Sequence, residues 1–436
     1  MPRSLTDTIA AIATPPGRGA IGVLRLSGPE ALEIAAHVWR GRDPRRMKGG
    51  HFSYGALVHP ETGELIDRGL LLVFRAPKSY TGEDAVEFQL HGSPAVLRSG
   101  LEALLRAGAR PAEPGEFTLR AYLNGRLDLA QAESVLALVE AETDLARRQA
   151  LKGLDRALSE RIHAIEAPLL DLLAHVQALL DYPEEGVEPA RAGATLDQAI
   201  KALDQLLASE KSAELARKGA RLVLLGPPNA GKSSLLNALL GYERAIVTPI
   251  PGTTRDYLEA PLEIGGIPIA AIDTAGLRKS EDPIEQAGVE RALKLAEAAD
   301  LVLFVADQSE EKPSAPPLDE ARVLFVANKA DLPPRWQDPR YLSVSARTGA
   351  GIEELKKAIA EKLVKHPAAG EVWLTSPRQA EALRRARAHL LEAKDTPEDL
   401  MALSIEAALE ALAEVTGTRV QEYVIERIFK NFCVGK

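Results

Sequence analysis

The segment Gly226-Pro227-Pro228-Asn229-Ala230-Gly231-Lys232-Ser233 places two glycines, a lysine and a hydroxyl at the spacing G-x-x-x-x-G-K-S. It follows the apolar run 222–225 and precedes the helical pattern 235–240, the strand–loop–helix setting that a phosphate-binding loop requires. In that setting backbone N–H groups at the helix start face phosphate oxygens, Lys232 reaches the β- and γ-phosphates, and the Ser233 hydroxyl ligates Mg²⁺. Asn229, Ala230, Gly231, Lys232, Ser233 and Ser234 are the predicted contacts of this loop. Further along, Asp273-Thr274-Ala275-Gly276 ends the apolar run 267–272, as expected of a carboxylate that holds Mg²⁺ through water beside a glycine amide that senses the γ-phosphate. Asn328-Lys329-Ala330-Asp331 ends a later run, and Ser345-Ala346-Arg347 follows another. The Asp331 carboxylate can accept from the N1–H and exocyclic amine of guanine, a pairing adenine does not offer.

Elements that could carry these residues follow from composition and pattern. The chain has 436 residues, 46% hydrophobic and 26% charged, which fits about three packed domains and excludes a disordered or collagen-like chain. A single cysteine, Cys433, excludes an internal disulfide framework or a multi-cysteine metal site and favours a reducing, cytoplasmic setting. No stretch approaches the roughly 18 apolar residues of a membrane span, so no membrane partner is expected. A net charge of −9 argues against indiscriminate polyanion binding and leaves any nucleic-acid contact to a local surface.

Short runs broken by Gly and Pro, at 21–26, 70–74 and 85–90, predict a sheet-rich α+β domain over residues 1–120. Asp128 and Gln131 resemble a capping box, after which Leu129, Ala132, Leu136 and Val139 recur at helical spacing. Helices are predicted over 121–217 and again over 367–436. Between them, 218–366 alternates apolar runs with helical patterns, which predicts a parallel sheet with crossover helices. The economical organisation is one helical domain interrupted by an inserted α/β domain, because two short helical flanks would each struggle to bury a core alone.

The ordered set of motifs resembles a GTPase of the Ras-like translational class. Two departures matter. Leu277 stands where Ras-like proteins place a water-orienting Gln, and it can neither donate to nor accept from water. Asn229 together with Thr248-Pro249-Ile250-Pro251-Gly252-Thr253-Thr254-Arg255-Asp256 resembles the subgroup that binds K⁺ beside the phosphates in place of an arginine finger. A monovalent cation there would offset charge developing on the transferring phosphoryl group. Thr254 would be the second Mg²⁺ ligand.

Across its whole length the chain resembles the MnmE (TrmE) family of tRNA-modifying GTPases. The blocks that carry the resemblance are Asp7-Thr8-Ile9 with Ala13 to Gly19, Tyr80-Thr81-Gly82-Glu83-Asp84, Pro114-Gly115-Glu116-Phe117-Thr118, Arg120 to Leu129, the GTPase set, and the terminal Phe432-Cys433-Val434-Gly435-Lys436. The resemblance implies an N-terminal domain that forms a homodimer and binds 5-formyl- or 5,10-methylene-tetrahydrofolate, a helical domain and an inserted G domain. It also implies an FAD-dependent partner, MnmG (GidA), with which an aminomethyl-type group is added to C5 of the wobble uridine of tRNA. Carried over by motif, folate contacts fall on Arg25, Glu87, Arg126 and Lys436, and K⁺ ligands on Asn229, Thr248, Ile250 and Thr253. Glu285 takes the water-orienting role left by Leu277, and Cys433 is either a small buried hydrophobe or a reactive group. A cross-strand ion pair at a sheet surface is the alternative for Arg25 and Glu87, and Arg384, Arg385 and Arg387 are either a solvated helix face or part of a tRNA-facing patch. The alternative to a modifying enzyme is a ribosome-assembly GTPase of the Era or Der type, for which a KH-like module or tandem G domains would be expected as flanks.

Overall fold

The computed structural model describes residues 6–182, 192–241, 259–273, 293–315, 317–363 and 372–435. It divides into two units, Met1–Leu136 with Leu409–Lys436, and Ala137–Ala408.

In the first unit a seven-stranded sheet has the order β3-β4-β5-β6-β2-β1-β7. Its strands are β1 (Ile9–Ile12), β2 (Ile21–Ser27), β3 (Trp39–Arg40), β4 (His51–Val58), β5 (Leu65–Phe74), β6 (Ala85–His91) and β7 (Arg110–Pro111). The three predicted runs fall inside β2, β5 and β6. Alternation explains them: Leu24 and Leu26 of β2 and Val86, Phe88 and Leu90 of β6 point into one core, beneath α1 (Ala31–Val38) and α2 (Pro94–Arg106). Behind this core α3 (Glu116–Leu123) leads into α4 (Leu129–Val139). The capping box is formed: Gln131 N–H donates to Asp128 Oδ1 at 2.8 Å, and Asp128 N–H to Gln131 Oε1 at 3.1 Å. Leu129 and Ala132 pack with Phe429 and Phe432, whereas Val139, expected on the same apolar face, is exposed.

A charged network lies here, buried at Arg120 and Glu116 and partly open at Arg110 and Asp7. The Arg120 side chain is 1% exposed and donates to Asp7, Glu83 and Glu116. Arg110 reaches Asp7 at 2.7 Å and Glu116 at 2.6 Å, so two guanidinium groups are shared among three carboxylates. The terminal strand of chain closes over the start of α3: Gly115 N–H donates to the Cys433 carbonyl, and Val434 pairs with Pro114.

In the second unit, α5 (Asp144–Leu154), α6 (Ala157–Asp181), α7 (Ala192–Ala208) and α8 (Glu210–Lys218) precede a six-stranded sheet of order β13-β12-β11-β8-β10-β9. The strands are β8 (Ala220–Leu225), β9 (Glu259–Ile264), β10 (Ile267–Asp273), β11 (Leu301–Asp307), β12 (Val323–Asn328) and β13 (Tyr341–Ser343), all parallel except β9. The continuous apolar runs reflect burial on both faces: Leu222 and Leu224 sit in one core cluster, Val223 and Leu225 in the other. Helices α9 (Lys232–Leu240) and α10 (Ile352–Leu363) cover the first face. β9 escapes the apolar-run reading because it pairs antiparallel with β10 through Gly265-Gly266, both at positive φ, as a two-residue hairpin demands. α11 (Pro377–Lys394) packs against α7 although the whole sheet lies between them in sequence. α12 (Glu398–Thr416) and α13 (Glu422–Phe429) complete the chain. No helix among the described residues is long and apolar enough to cross a membrane.

Breaking the buried network should be costly. Arg120→Ala strands Glu83 without its counter-charge, leaves Glu116 and Asp7 to Arg110 alone, and should lower unfolding free energy by about 3–5 kcal/mol in a denaturant titration. The Asp7 carboxyl is held below the ordinary value of 3.8, chiefly by its hydrogen bond from Arg110, with burial opposing and Arg120 adding to the effect. A group depressed on folding contributes stability above its unfolded pKa and loses it as pH falls through the folded value. Asp7→Asn should therefore be less stable than wild type at neutral pH and should flatten the loss of stability below about pH 4, measured by unfolding across pH 2–7.

Candidate functional site

Phosphate-loop geometry follows from two glycines that admit no side chain. Gly226, at φ 142, would place a Cβ 2.0 Å from the Val305 carbonyl oxygen, and Gly231, at φ 87, would place one 2.3 Å from Asn328 Nδ2. Asn229 adopts φ 61 between them, on the exposed rim of the turn. Gly231 is the N-cap of α9, so the free N–H groups of that helix open at the loop. Lys232 is buried, and its Nζ donates to the Gly226 and Pro227 carbonyls at 2.9 and 2.7 Å, which folds the loop around the ammonium. Ser233, exposed like Ser234, donates its hydroxyl to Asp273 Oδ2, at the C-terminal end of β10. Thus the two residues expected at a Mg²⁺ centre, one from a helix start and one from a strand end, already meet, and both offer oxygen.

The other half of the site is built on β12. Asn328 is 2% exposed; its Nδ2 donates to the Ala230 carbonyl at 2.9 Å and its Oδ1 accepts from Ala346 N–H at 3.1 Å. One buried amide therefore joins the phosphate loop to the segment after β13. Asp331 accepts from the Ser345 hydroxyl at 2.7 Å, with Arg347 at 3.7 Å. The Ser345 hydrogen bond, then its own backbone N–H, with Arg347 and Lys329 adding charge, hold its carboxyl below the usual range against burial. Asp331 is accordingly an anion at neutral pH, fit to accept two N–H groups of one base edge.

Lys329 adopts φ 66 and its ammonium is bonded to Asp307, the last residue of β11. Sequence reasoning passed over Asp307, although it ends an apolar run just as Asp273 does. Thr274, Ala275, Gly276, Leu277, Glu285, Thr248, Ile250, Thr253 and Thr254 lie outside the described residues.

In the first unit Arg25 and Glu87 face each other across β2 and β6, with Arg25 Nε 2.8 Å from Glu87 Oε1. Arg25 also donates to the Gly435 carbonyl at 3.2 Å and its guanidinium lies 5.7 and 5.6 Å from the Tyr80 and Phe117 ring centres. Tyr80 is tied to Thr118 at 2.9 Å, and burial pushes its phenol up. Arg126 is exposed and its stem lies against Gly82, where an added Cβ would come within 3.2 Å of Arg126 Cγ. Lys436 is outside the described residues. Cys433 is exposed, which corrects the reading of a buried hydrophobe: Phe432 takes the core position and turns Cys433 outward.

Two arginines of α11 are engaged with acids. Arg384 bonds Glu210 of α8 and Glu381, and Arg387 bonds Asp204 of α7. These pairs offset the positive charge expected of a tRNA-facing patch and bind α11 to α7 and α8. Among the described residues no group of three or more His, Cys, Asp or Glu is placed to hold a metal ion.

Comparison with known proteins agrees along the whole chain. A family model described as GTP-binding protein TrmE N-terminus matches residues 8–126, and one described as MnmE helical domain matches residues 129–433. A curated relative from Thermus thermophilus, named tRNA modification GTPase MnmE, is 65% identical over 433 residues, covering 99% of this chain and all of the relative. A protein of the same name from Chloroflexus aurantiacus is 45% identical over 456 residues, at 99% and 100% coverage. Among solved structures, the G domain of the T. maritima FeoB iron transporter aligns with 33% of this chain and 99% of its own at 26% identity, with a TM-score of 0.24. Matched from residue 8 to residue 433 and at these identities, the chain belongs to the MnmE (TrmE) family.

Proposed function

We propose that the protein is a GTP hydrolase that acts in tRNA modification, as the names of its relatives state for them. The observation that carries this reading is the Asn328 amide, which ties a phosphate loop to a carboxylate-bearing wall suited to guanine. Lys232 would release the loop carbonyls for phosphate oxygens, and Asp331 would accept the N1–H and amine of the base. Ser233 and Asp273 fit Mg²⁺, since hydroxyl and carboxylate oxygens are its preferred donors, and Thr254 would complete the protein's share. The ion would offset charge on the γ-phosphate.

The finer assignments belong to the same proposal. K⁺ would be held by Asn229, Thr248, Ile250 and Thr253, with Glu285 orienting the attacking water, and hydrolysis would couple to G-domain dimerisation. The domain limits are 1–120, 121–217, 218–366 as an insertion, and 367–436. A one-carbon tetrahydrofolate would meet Arg25, Glu87, Arg126 and Lys436. The partly open Arg25–Glu87 pair beside Tyr80 and Phe117 suits a flat, polar-edged ring, and Arg126 on the neighbouring turn suits a carboxylate tail. That folate supplies carbon for C5 of the wobble uridine in a complex with the FAD protein MnmG. The protein would work as a cytoplasmic homodimer, paired through its N-terminal domain. The assembly-factor alternative is not favoured, because the flanks match the N-terminal and helical segments of this family.

Nucleotide choice tests the reading. Asp331→Asn removes the anion that accepts from guanine, and GTP affinity should fall roughly a hundredfold with loss of the charge-assisted bonds. Xanthosine triphosphate, whose C2 carbonyl accepts from an amide, should become the better substrate in a steady-state phosphate-release assay. Unchanged selectivity for GTP would remove Asp331 from base recognition.

A further inference from the structure

The mate of Lys329 has no part in the motifs so far discussed. Asp307 closes β11 directly opposite Asn328 in the parallel register with β12, so the residue after Asn328 emerges beside it. There Lys329 turns through φ 66, a conformation that side chains other than Gly, Asn and Asp seldom adopt, and delivers its Nζ to Asp307 Oδ2 at 2.5 Å. The carboxylate is itself fixed: Oδ1 accepts from the Ser309 N–H at 2.9 Å and the Ser309 hydroxyl at 2.6 Å, and the Asp307 carbonyl accepts from Trp336 Nε1. Its side chain is 11% exposed, that of Lys329 34%. With the ammonium committed to Asp307, what Lys329 offers a nucleotide is its four-carbon stem.

We propose that Asp307 is a positioning residue for the nucleotide base: it pins Lys329 in the left-handed turn so that the lysine stem forms one wall of the base slot. This rests on the proposed GTPase reading and adds the device that holds the slot open before ligand arrives. Burial raises the Asp307 carboxyl, yet the bonds from Lys329 and Ser309 outweigh it and keep the group below its ordinary value, consistent with a persistent ion pair at neutral pH. Without the pair, Lys329 has a strained backbone and no restraint on its side chain, and each binding event must order both.

The test compares wild type, Asp307→Asn, Asp307→Glu, Lys329→Met and the Asp307→Asn/Lys329→Met double variant of the full chain. KM and kcat for GTP and Kd for GDP are measured, with circular dichroism to verify folding. Loss of one charge-assisted restraint should raise KM and the GDP Kd about tenfold or more in Asp307→Asn, with kcat within about twofold. Asp307→Glu should recover most of the affinity, and the double variant should be no weaker than the poorer single variant, since both act through one pair. Unchanged KM and Kd in a folded Asp307→Asn protein would overturn the inference, as would fully additive losses. If Asp307→Asn fails to fold, Asp307→Glu and Lys329→Met still decide: full affinity in folded Lys329→Met, which keeps an apolar stem and loses the ammonium that Asp307 holds, contradicts the pin. A wild-type chain that binds no guanine nucleotide would overturn the proposed function, and this inference with it.

Discussion

Asn328 has a buried side chain with no solvent to satisfy it, and both ends of its amide are spent on backbone: a carbonyl of the phosphate loop on one side and an N–H after β13 on the other. An unpaired buried amide is expensive, so these two segments keep a fixed spacing or the strand end loses both bonds. Gly231 shows how tight that spacing is, because even one carbon atom there would collide with the Asn328 nitrogen. The proposed phosphate and base ends of the site are thus a single construction hung on the C-terminal edge of a parallel sheet, where strand ends open to a ligand. Asp273, Asp307 and Asn328 all close adjacent or neighbouring parallel strands, and each turns its polar end group to the loops of that edge.

The N-terminal unit solves a different problem. A buried Arg120 and a partly open Arg110 are shared among Asp7, Glu83 and Glu116, and the terminal chain 433–435 is secured beside them. Gly435 fits only because it lacks a side chain: a Cβ would stand 2.5 Å from the Ile12 carbonyl. Arg25 donates at once to Glu87 and to Gly435, so that tail and strand pair are held by one guanidinium.

Motif residues were legible because their chemistry demands a fixed order along the chain: Gly226, Gly231, Lys232 and Ser233 lie within one turn, and Asn328 and Asp331 within another. The strands of the parallel sheet were legible for a physical reason too, since burial on both faces leaves an unbroken apolar run. What escaped was set by partners distant in sequence. Nothing local marks Asp307 as the mate of Lys329, Arg120 as a fully buried cation or β9 as a strand, because each is decided by what folds against it. Cys433 shows the same limit, as its exposure depends on Phe432 having won the core position. The arginines of α11 read as a basic face until Glu210 and Asp204, far earlier in the chain, are seen to pair with them.

In the proposed function this nucleotide site powers a change in tRNA. Mass spectrometry of wobble nucleosides in cells lacking the chain, complemented with wild type or with Lys232→Ala, tests it most directly. C5-substituted wobble uridine should disappear in the deleted strain, return with wild type and stay absent with Lys232→Ala. Wobble nucleosides left intact in the deleted strain, with ribosomal subunits accumulating unassembled, would contradict it.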